Sequence, residues 1–227
     1  MMPNPTLLIG YPMGSPIGLA AALAWAEIPH DIGRVDLLDR PAAFLAINPR
    51  GEVPVLIDAE GQVLTETLAI ARWIENRDDA RRVSFAPGSR DALRMWELAS
   101  FLNTGFTGAF VPFWAAMEAP HLTTEQREFL RSFGTGLVRK RHEQLEAMLG
   151  EGPWLVGERR SLADAILLGV GRWVEFHEVF DVADYPRIAA VRAHIEKDAV
   201  AQAAARLESD PADPRVVDLA EALARAR

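Results

Sequence analysis

Asn48-Pro49-Arg50-Gly51-Glu52-Val53-Pro54-Val55-Leu56-Ile57-Asp58-Ala59-Glu60-Gly61-Gln62-Val63-Leu64-Thr65-Glu66-Thr67-Leu68-Ala69-Ile70 sets a Val-Pro step before a short apolar strand, then a hairpin, then an acid and a hydroxyl residue where a helix begins. The strand is Val55-Leu56-Ile57, the chain turns through Asp58-Ala59-Glu60-Gly61, and Gln62-Val63-Leu64 returns beside it. A glycine in so short a connection is the mark of a hairpin. A helix follows over 68–75, with Ile70, Trp73 and Ile74 spaced for one face. Such an arrangement suits a small peptide ligand: an exposed backbone edge meets its amides, and a helix N-terminus meets its carboxylate.

Outward from this segment, 6–10 reads as a buried strand, 16–27 as a helix rich in Ala and Leu, and 31–37 as a second strand carrying Ile32, Val35 and Leu37. Residues 1–77 therefore form a βαβ-ββα unit, 78–89 a linker with Phe85-Ala86-Pro87-Gly88, and 90–227 an all-helical domain. In the helical part, 90–101 is one helix, extended toward Phe110 across Gly105 and Gly108. Thr123 with Gln126 and Ser161 with Asp164 are capping boxes; the first opens a helix reaching Gly150, the second precedes Ala165-Ile166-Leu167-Leu168. Shorter helices fall at 186–197 and 200–207, and a last one at 218–227 after turns at Pro211 and Pro214. The fold class is an α/β N-terminal domain followed by an all-α C-terminal domain.

Composition narrows the chemistry. A net charge of -8 argues against a nucleic-acid partner, since affinity for a phosphate backbone comes from clustered Lys and Arg. The short basic pieces at 139–141 and 81–82 are flanked by acids and read as solvated helix surface. No apolar run reaches the length of a membrane span, and Met-Met-Pro-Asn-Pro lacks the regions of a signal peptide, so a cytoplasmic location is expected. Cysteine is absent, which excludes disulfides, thiolate metal sites and a cysteine nucleophile. The histidines (30, 121, 142, 177 and 194) include no pair at helical ligand spacing, so no metal is expected. Any sulfur chemistry needs a thiol brought by a ligand.

Taken together, these residues resemble the cytosolic glutathione S-transferase family, and its bacterial beta class more than others. The match spans nearly the whole chain: 48–54 and Leu64-Thr65-Glu66-Thr67 are similar to the family's glutathione-binding motifs. Gly105-Phe106-Thr107, Trp154-Leu155-Val156-Gly157, Ser161-Leu162-Ala163-Asp164-Ala165 and Arg172-Trp173 follow in the expected order. The resemblance implies a thioredoxin-like first domain, glutathione as co-substrate and a homodimer. It implies a cis peptide before Pro54, with Val53 pairing antiparallel to the cysteinyl backbone of glutathione. Glu66 and Thr67 would hold the γ-glutamyl end, the acid facing its amino group, and Arg40 would lie near the glycyl carboxylate. A trans Val-Pro entering a strand, and Thr67 as a simple N-cap, are the alternatives the residues leave open.

A glutathione thiol is mostly protonated at neutral pH and becomes a good nucleophile as the thiolate, held by a hydrogen bond and the positive end of a helix. By alignment, Ser15 occupies the position of the beta-class cysteine, and Asn103 that of its second-domain histidine. Ser15-Pro16 is equally the signature of an N-cap followed by a first-turn proline; a cap accepts through its oxygen and keeps its proton to donate. Tyr11 is the rival donor, since a tyrosine near this place serves other classes. Asn103 could bond the ligand or its sulfur but is no base. A chain without a thiol forms no mixed disulfide with glutathione, so conjugation to small hydrophobic electrophiles is the expected reaction and glutathione-dependent isomerisation an alternative. A binding or interaction protein that has lost catalysis is the other. Phe106, Phe110, Phe113, Trp114 and Trp173, with Met13 across the cleft, are candidates for the electrophile's pocket; Phe110 and Trp173 lead by resemblance, with Phe106 and Met13 beside them.

Overall fold

The computed structural model describes residues 3–227. Strands β1 (Thr6–Tyr11) and β2 (Asp31–Asp36) run parallel, with Thr6 opposite Asp31 and Tyr11 opposite Asp36. On the other side of β1, β3 (Val55–Ile57) is antiparallel, and β4 (Val63–Thr65) is antiparallel to β3, giving the order β2-β1-β3-β4. Both faces are covered, which is why Leu7, Leu8 and Ile9 form an unbroken, fully buried apolar run. Side chains alternate between the faces: Leu7, Ile9 and Leu56 join the large core, whereas Leu8, Val55 and Ile57 join a smaller one with Val35 and Phe44.

Helix α1 (Ile17–Trp25) is apolar all round because it is sandwiched between the sheet and the second domain. A short helix α2 (Ala42–Ile47) buries only Phe44, too little periodicity for a helix to be read from sequence there. Helix α3 (Thr67–Glu75) begins one residue earlier than expected, and β4 extends one residue further, to Thr65. In the hairpin the Asp58 carboxylate accepts the Glu60 and Gln62 N–H groups, and Gly61 takes φ 83°.

The helical domain starts at α4 (Arg90–Phe101), which passes directly into a π-helical turn, Leu102–Phe106. The expected continuation toward Phe110 does not occur as one α-helix. The chain turns at Ala109 and Phe110 and starts α5 (Val111–Glu118), which sequence reading did not separate, with Pro112 in its first turn. Helix α6 (Thr124–Met148) opens with the anticipated capping box, as does α7 (Leu162–Val170). The rest comprises α8 (Trp173–Phe176), α9 (Pro186–Glu196), α10 (Ala199–Arg206) and α11 (Leu219–Ala224). The last of these returns to the first domain: Ala222 and Leu223 join the smaller core, and Ile32 exchanges backbone hydrogen bonds with Arg215 and Val217 at 2.8 and 2.9 Å. Among the described residues no helix is long and apolar enough to cross a membrane.

Two buried histidines link this packing to pH. The His142 Nδ1–H donates to the Val138 carbonyl at 2.9 Å, and the ring packs against Phe106 and Phe180 with no partner for Nε2 among the described residues. His177 is boxed by Phe110, Phe113 and Trp114, with Nε2 also unpartnered among the described residues. Burial lowers both imidazoles from 6.5 to about 4, aided by the nearby Arg192 guanidinium for His142 and Arg131 for His177. Unfolded, each imidazole takes up a proton near pH 6.5; folded, it stays neutral until about 4, so its stabilisation is complete above 6.5 and lost as pH falls toward 4. The loss is on the order of 3 kcal/mol per ring. Asp164 works oppositely: desolvation pushes its carboxyl from 3.8 up to about 6, so its share is present below 3.8 and fades as pH rises through 6. Two rings outweigh one carboxyl. Urea midpoints are therefore expected to fall from pH 6.5 to 4, and His142→Leu to flatten that slope; an unchanged slope would show that His142 does not carry it.

Candidate functional site

Two adjoining cavities, of about 250 and 280 Å³, lie between the sheet domain and the helices and share Ser15, Glu52, Val53 and Trp173 in their walls. The first also has Glu66, Thr67, Asn103 and Thr107; the second adds Met13, Arg40, Trp114 and Glu118. Larger surface clefts of about 540 and 700 Å³ lie along the linker and are lined by none of the candidate residues. What distinguishes the first of the smaller cavities is that Val53, the start of α3 and Ser15 all line it.

The Val53–Pro54 peptide is cis, and among the described residues neither the N–H nor the C=O of Val53 has a partner. Next to it the Asn48 side chain donates to the Glu52 carbonyl at 2.6 Å, which pins the approach to the edge. At α3 the first intrahelical bond runs from the Ile70 N–H to the Glu66 carbonyl, so the N–H groups of Thr67, Leu68 and Ala69 lack helical partners. No side chain among the described residues caps them. Glu66 itself sits at φ 75°, a left-handed conformation costing about 1–3 kcal/mol in a non-glycine residue. Arg50, not singled out from sequence, pairs with the Glu66 carboxylate at 3.0 Å and donates to the Thr65 hydroxyl at 3.1 Å. Its signal was present in the Asn-Pro-Arg-Gly run, but nothing local pointed it at Glu66.

Ser15 differs from the expected cap. The capping position of α1 is Pro16, with no side-chain bond, and the Ser15 hydroxyl makes none among the described residues; only its carbonyl is used, by the Gly18 N–H at 3.2 Å. The loop leading to it is gripped from the second domain. The Trp173 indole N–H donates to the Met13 carbonyl at 3.0 Å, and Arg172 donates to the Gly14 carbonyl at 2.7 Å. Helix α7 then comes so close that a Cβ on Gly169 would overlap the Ser15 carbonyl oxygen, and one on Gly18 that of Ala165. Asn103 reaches the cavity from the π-helical turn. Arg40 lines the second cavity, its Nε–H donating to the Gly51 carbonyl at 2.8 Å.

Four expected residues lie elsewhere. Tyr11 lines neither cavity: the peptide after it is also cis, and its ring lies under the Arg34 guanidinium at 4.6 Å. Phe106, Phe110 and Phe113 are fully buried and form core instead of pocket wall. Phe106 packs on His142, and Phe110 backs Trp173 edge to face at 5.6 Å. The aromatic wall is Trp173 with Trp114, at 5.2 Å and 80°. Helical spacing marked all of these rings equally; the turn after the π-helical segment decides which face outward. Among the described residues no His, Asp and Glu side chains cluster as metal ligands.

Residues 18–77 match the family model of the glutathione S-transferase N-terminal domain, and residues 112–198 that of the C-terminal domain. Glutathione S-transferase GstA of Escherichia coli O157:H7 is 26% identical over 130 residues, which is 57% of this chain and 61% of that relative's length. A sphingomonad glutathione S-transferase complexed with glutathione superposes with a TM-score of 0.76 at 28% identity, over 90% of this chain and 98% of that one. The beta-class enzyme of Sphingomonas chungbukensis gives 0.75 at 26%, over 89% and 98%.

Proposed function

The chain belongs to the cytosolic glutathione S-transferase family, and on that premise we propose that it binds glutathione across the two cavities and conjugates it, through its sulfur, to small hydrophobic electrophiles. One observation carries the reading: Val53 with its unpartnered backbone, Glu66 and Thr67 at the uncapped end of α3, and Ser15 with its unused hydroxyl all line one cavity of about 250 Å³. The cysteinyl amides of glutathione pair with Val53. Its γ-glutamyl carboxylate takes the N–H groups at Thr67 and the Thr67 hydroxyl, while the Glu66 carboxylate faces its amino group. Arg40 approaches the glycyl carboxylate. The cysteinyl sulfur then lies toward Ser15, whose hydroxyl donates to the thiolate at the positive end of α1, with the Asn103 amide as a second donor. The sulfur attacks an electrophilic carbon held against Trp173, Trp114 and Met13; the leaving group departs with its electron pair, and the thiol's proton goes to water.

The test is calorimetric titration with glutathione, ultraviolet titration of the bound thiol and turnover on an electrophile panel, all on the same samples. Glu66→Ala is expected to weaken binding about tenfold or more, the worth of a charge-assisted contact. Ser15→Ala should leave affinity within a few fold, raise the bound thiol's pKa and cut turnover about ten- to a hundredfold. Wild type that ignores millimolar glutathione, or binds it without any thiolate at neutral pH, would overturn the reading. A second reading, a glutathione-binding protein without turnover, is favoured by Asn103 and Ser15 standing where the beta class has its histidine and cysteine. Tight binding with no product on any electrophile would select it, and product from an unsaturated acid without net glutathione loss would select isomerisation. A homodimer is part of the proposal, checked by a solution mass twice the 25.0 kDa of the chain.

A further inference from the structure

We propose that Glu208 is a positioning residue for the thiol site, acting through Arg172 on the loop that carries Ser15. The proposal rests on the reading of Ser15 above. Glu208 follows α10, far from the cavities in sequence, and its side chain is only 12% exposed. Its carboxylate takes both arms of the Arg172 guanidinium, Oε2 from one NH2 group at 2.8 Å and Oε1 from the other at 2.5 Å. The arm bound to Oε1 also donates to the Gly14 carbonyl at 2.7 Å, and the Arg172 Nε–H reaches the Gly169 carbonyl at 3.3 Å. One guanidinium thus ties the residue before Ser15 to α7 and to Glu208. The Glu208 main-chain carbonyl accepts in turn from Arg34 on β2, the guanidinium that covers Tyr11. Residue 208 therefore anchors the loop at Gly14 through Arg172 and its stem at Tyr11 through Arg34.

The loop needs such anchoring. Met13 is held at φ 58°, which a non-glycine residue keeps only where its surroundings over-determine it. Among the described residues the Ser15 hydroxyl has no bond of its own to orient it, so its position is set by the backbone on either side. A lone arginine reaching for one carbonyl would lose much of its hold to rotamer freedom; a bidentate carboxylate behind it removes that freedom. Lysine could reach either Glu208 or Gly14, not both in the same geometry.

The experiment uses the full chain and two variants, Glu208→Gln and Arg172→Lys, each read in three ways. Amide exchange without ligand should speed up about tenfold at Gly18 and Leu37, whose N–H groups donate to the Ser15 and Tyr11 carbonyls at 3.2 and 3.0 Å, with 70–75 unchanged, as expected for a loop opening locally. Glutathione affinity should stay within about twofold, while the bound thiol's pKa rises and kcat falls about tenfold, the effect of a reacting group displaced by a fraction of an ångström. A merely structural Glu208 would lower Tm and affinity together and leave the thiol pKa alone, and that result overturns the proposal. So does unchanged exchange and unchanged thiol pKa in both variants, or failure of both to fold. If wild type does not bind glutathione, the functional reading fails, and the exchange comparison still decides whether Glu208 holds the loop.

Discussion

Gly18→Ala is expected to cost more than about 3 kcal/mol of stability and to abolish glutathione turnover in whatever fraction still folds. The added methyl would overlap the Ala165 carbonyl oxygen, which belongs to helix backbone and has no flexible end to give way. Relief requires α1 and α7 to separate. These helices meet with glycine on each side, since Gly169 admits the Ser15 carbonyl in the same way. Separation would therefore move Ser15 away from Asn103 and Trp173, the walls it shares across the first cavity. Thermal melts should show a fall of about 10 °C, at a few degrees per kcal/mol for a chain of this size. A Gly18→Ala protein with wild-type Tm and kcat would mean that the two domains are not held at this contact.

Asp164→Ala is expected to destabilise the protein by about 4 kcal/mol, the largest single loss among the polar residues. Asp164 is fully buried and accepts three hydrogen bonds: from the Leu155 N–H at 2.8 Å, the Ser161 N–H at 2.8 Å and the Ser161 hydroxyl at 2.7 Å. Alanine would leave all three donors inside the protein with no water to replace the carboxylate. Asp164→Asn keeps one accepting oxygen and should lose about half as much. The ordering Ala below Asn below wild type in urea melts is the check; equal midpoints for Asn and Ala would mean that acceptor geometry is not what matters. Because α7 carries Gly169 and leads into Arg172 and Trp173, disordering its first turn should also weaken glutathione binding.

The binding half of the proposed site was legible as a cluster because its parts are neighbours in the chain. Val53, Glu66 and Thr67 are brought together by one hairpin, whose residues (Asp58, Gly61, the alternating Val63 and Leu64) encode its geometry locally. The capping boxes at Thr123 and Ser161 were legible for the same reason: each is a bond between residues three apart. The activating half was less so. Ser15-Pro16 has the local form of a cap, yet the Met13 and Gly14 carbonyls are pulled by Trp173 and Arg172, and the hydroxyl is left unused. Phe106 and Phe110 carry the same spacing signal as Trp114 and Trp173, and only the arrangement of α5, α6 and α8 around the π-helical turn separates core from wall.

Apart from α2, α5 and α8, the amino-acid sequence alone determined the order of elements, the two-domain character and the segment that carries the proposed grip on a small peptide, since these follow from periodicity, turn chemistry and contacts within a few residues. Tertiary structure decided which hydroxyl is free, which aromatics face the cavity and where the tail goes. Leu219, Ala222 and Leu223 look like part of the helical region by position, yet they pack on the first domain's sheet beside Phe44. Glu208 looks like any acid after a helix until Arg172 and Gly14 arrive beside it. The physical reason is the range of the forces that settle each question. Hydrogen bonds along a turn are specified by neighbours, whereas burial and a guanidinium's choice of partner depend on surfaces that meet only after the chain has folded.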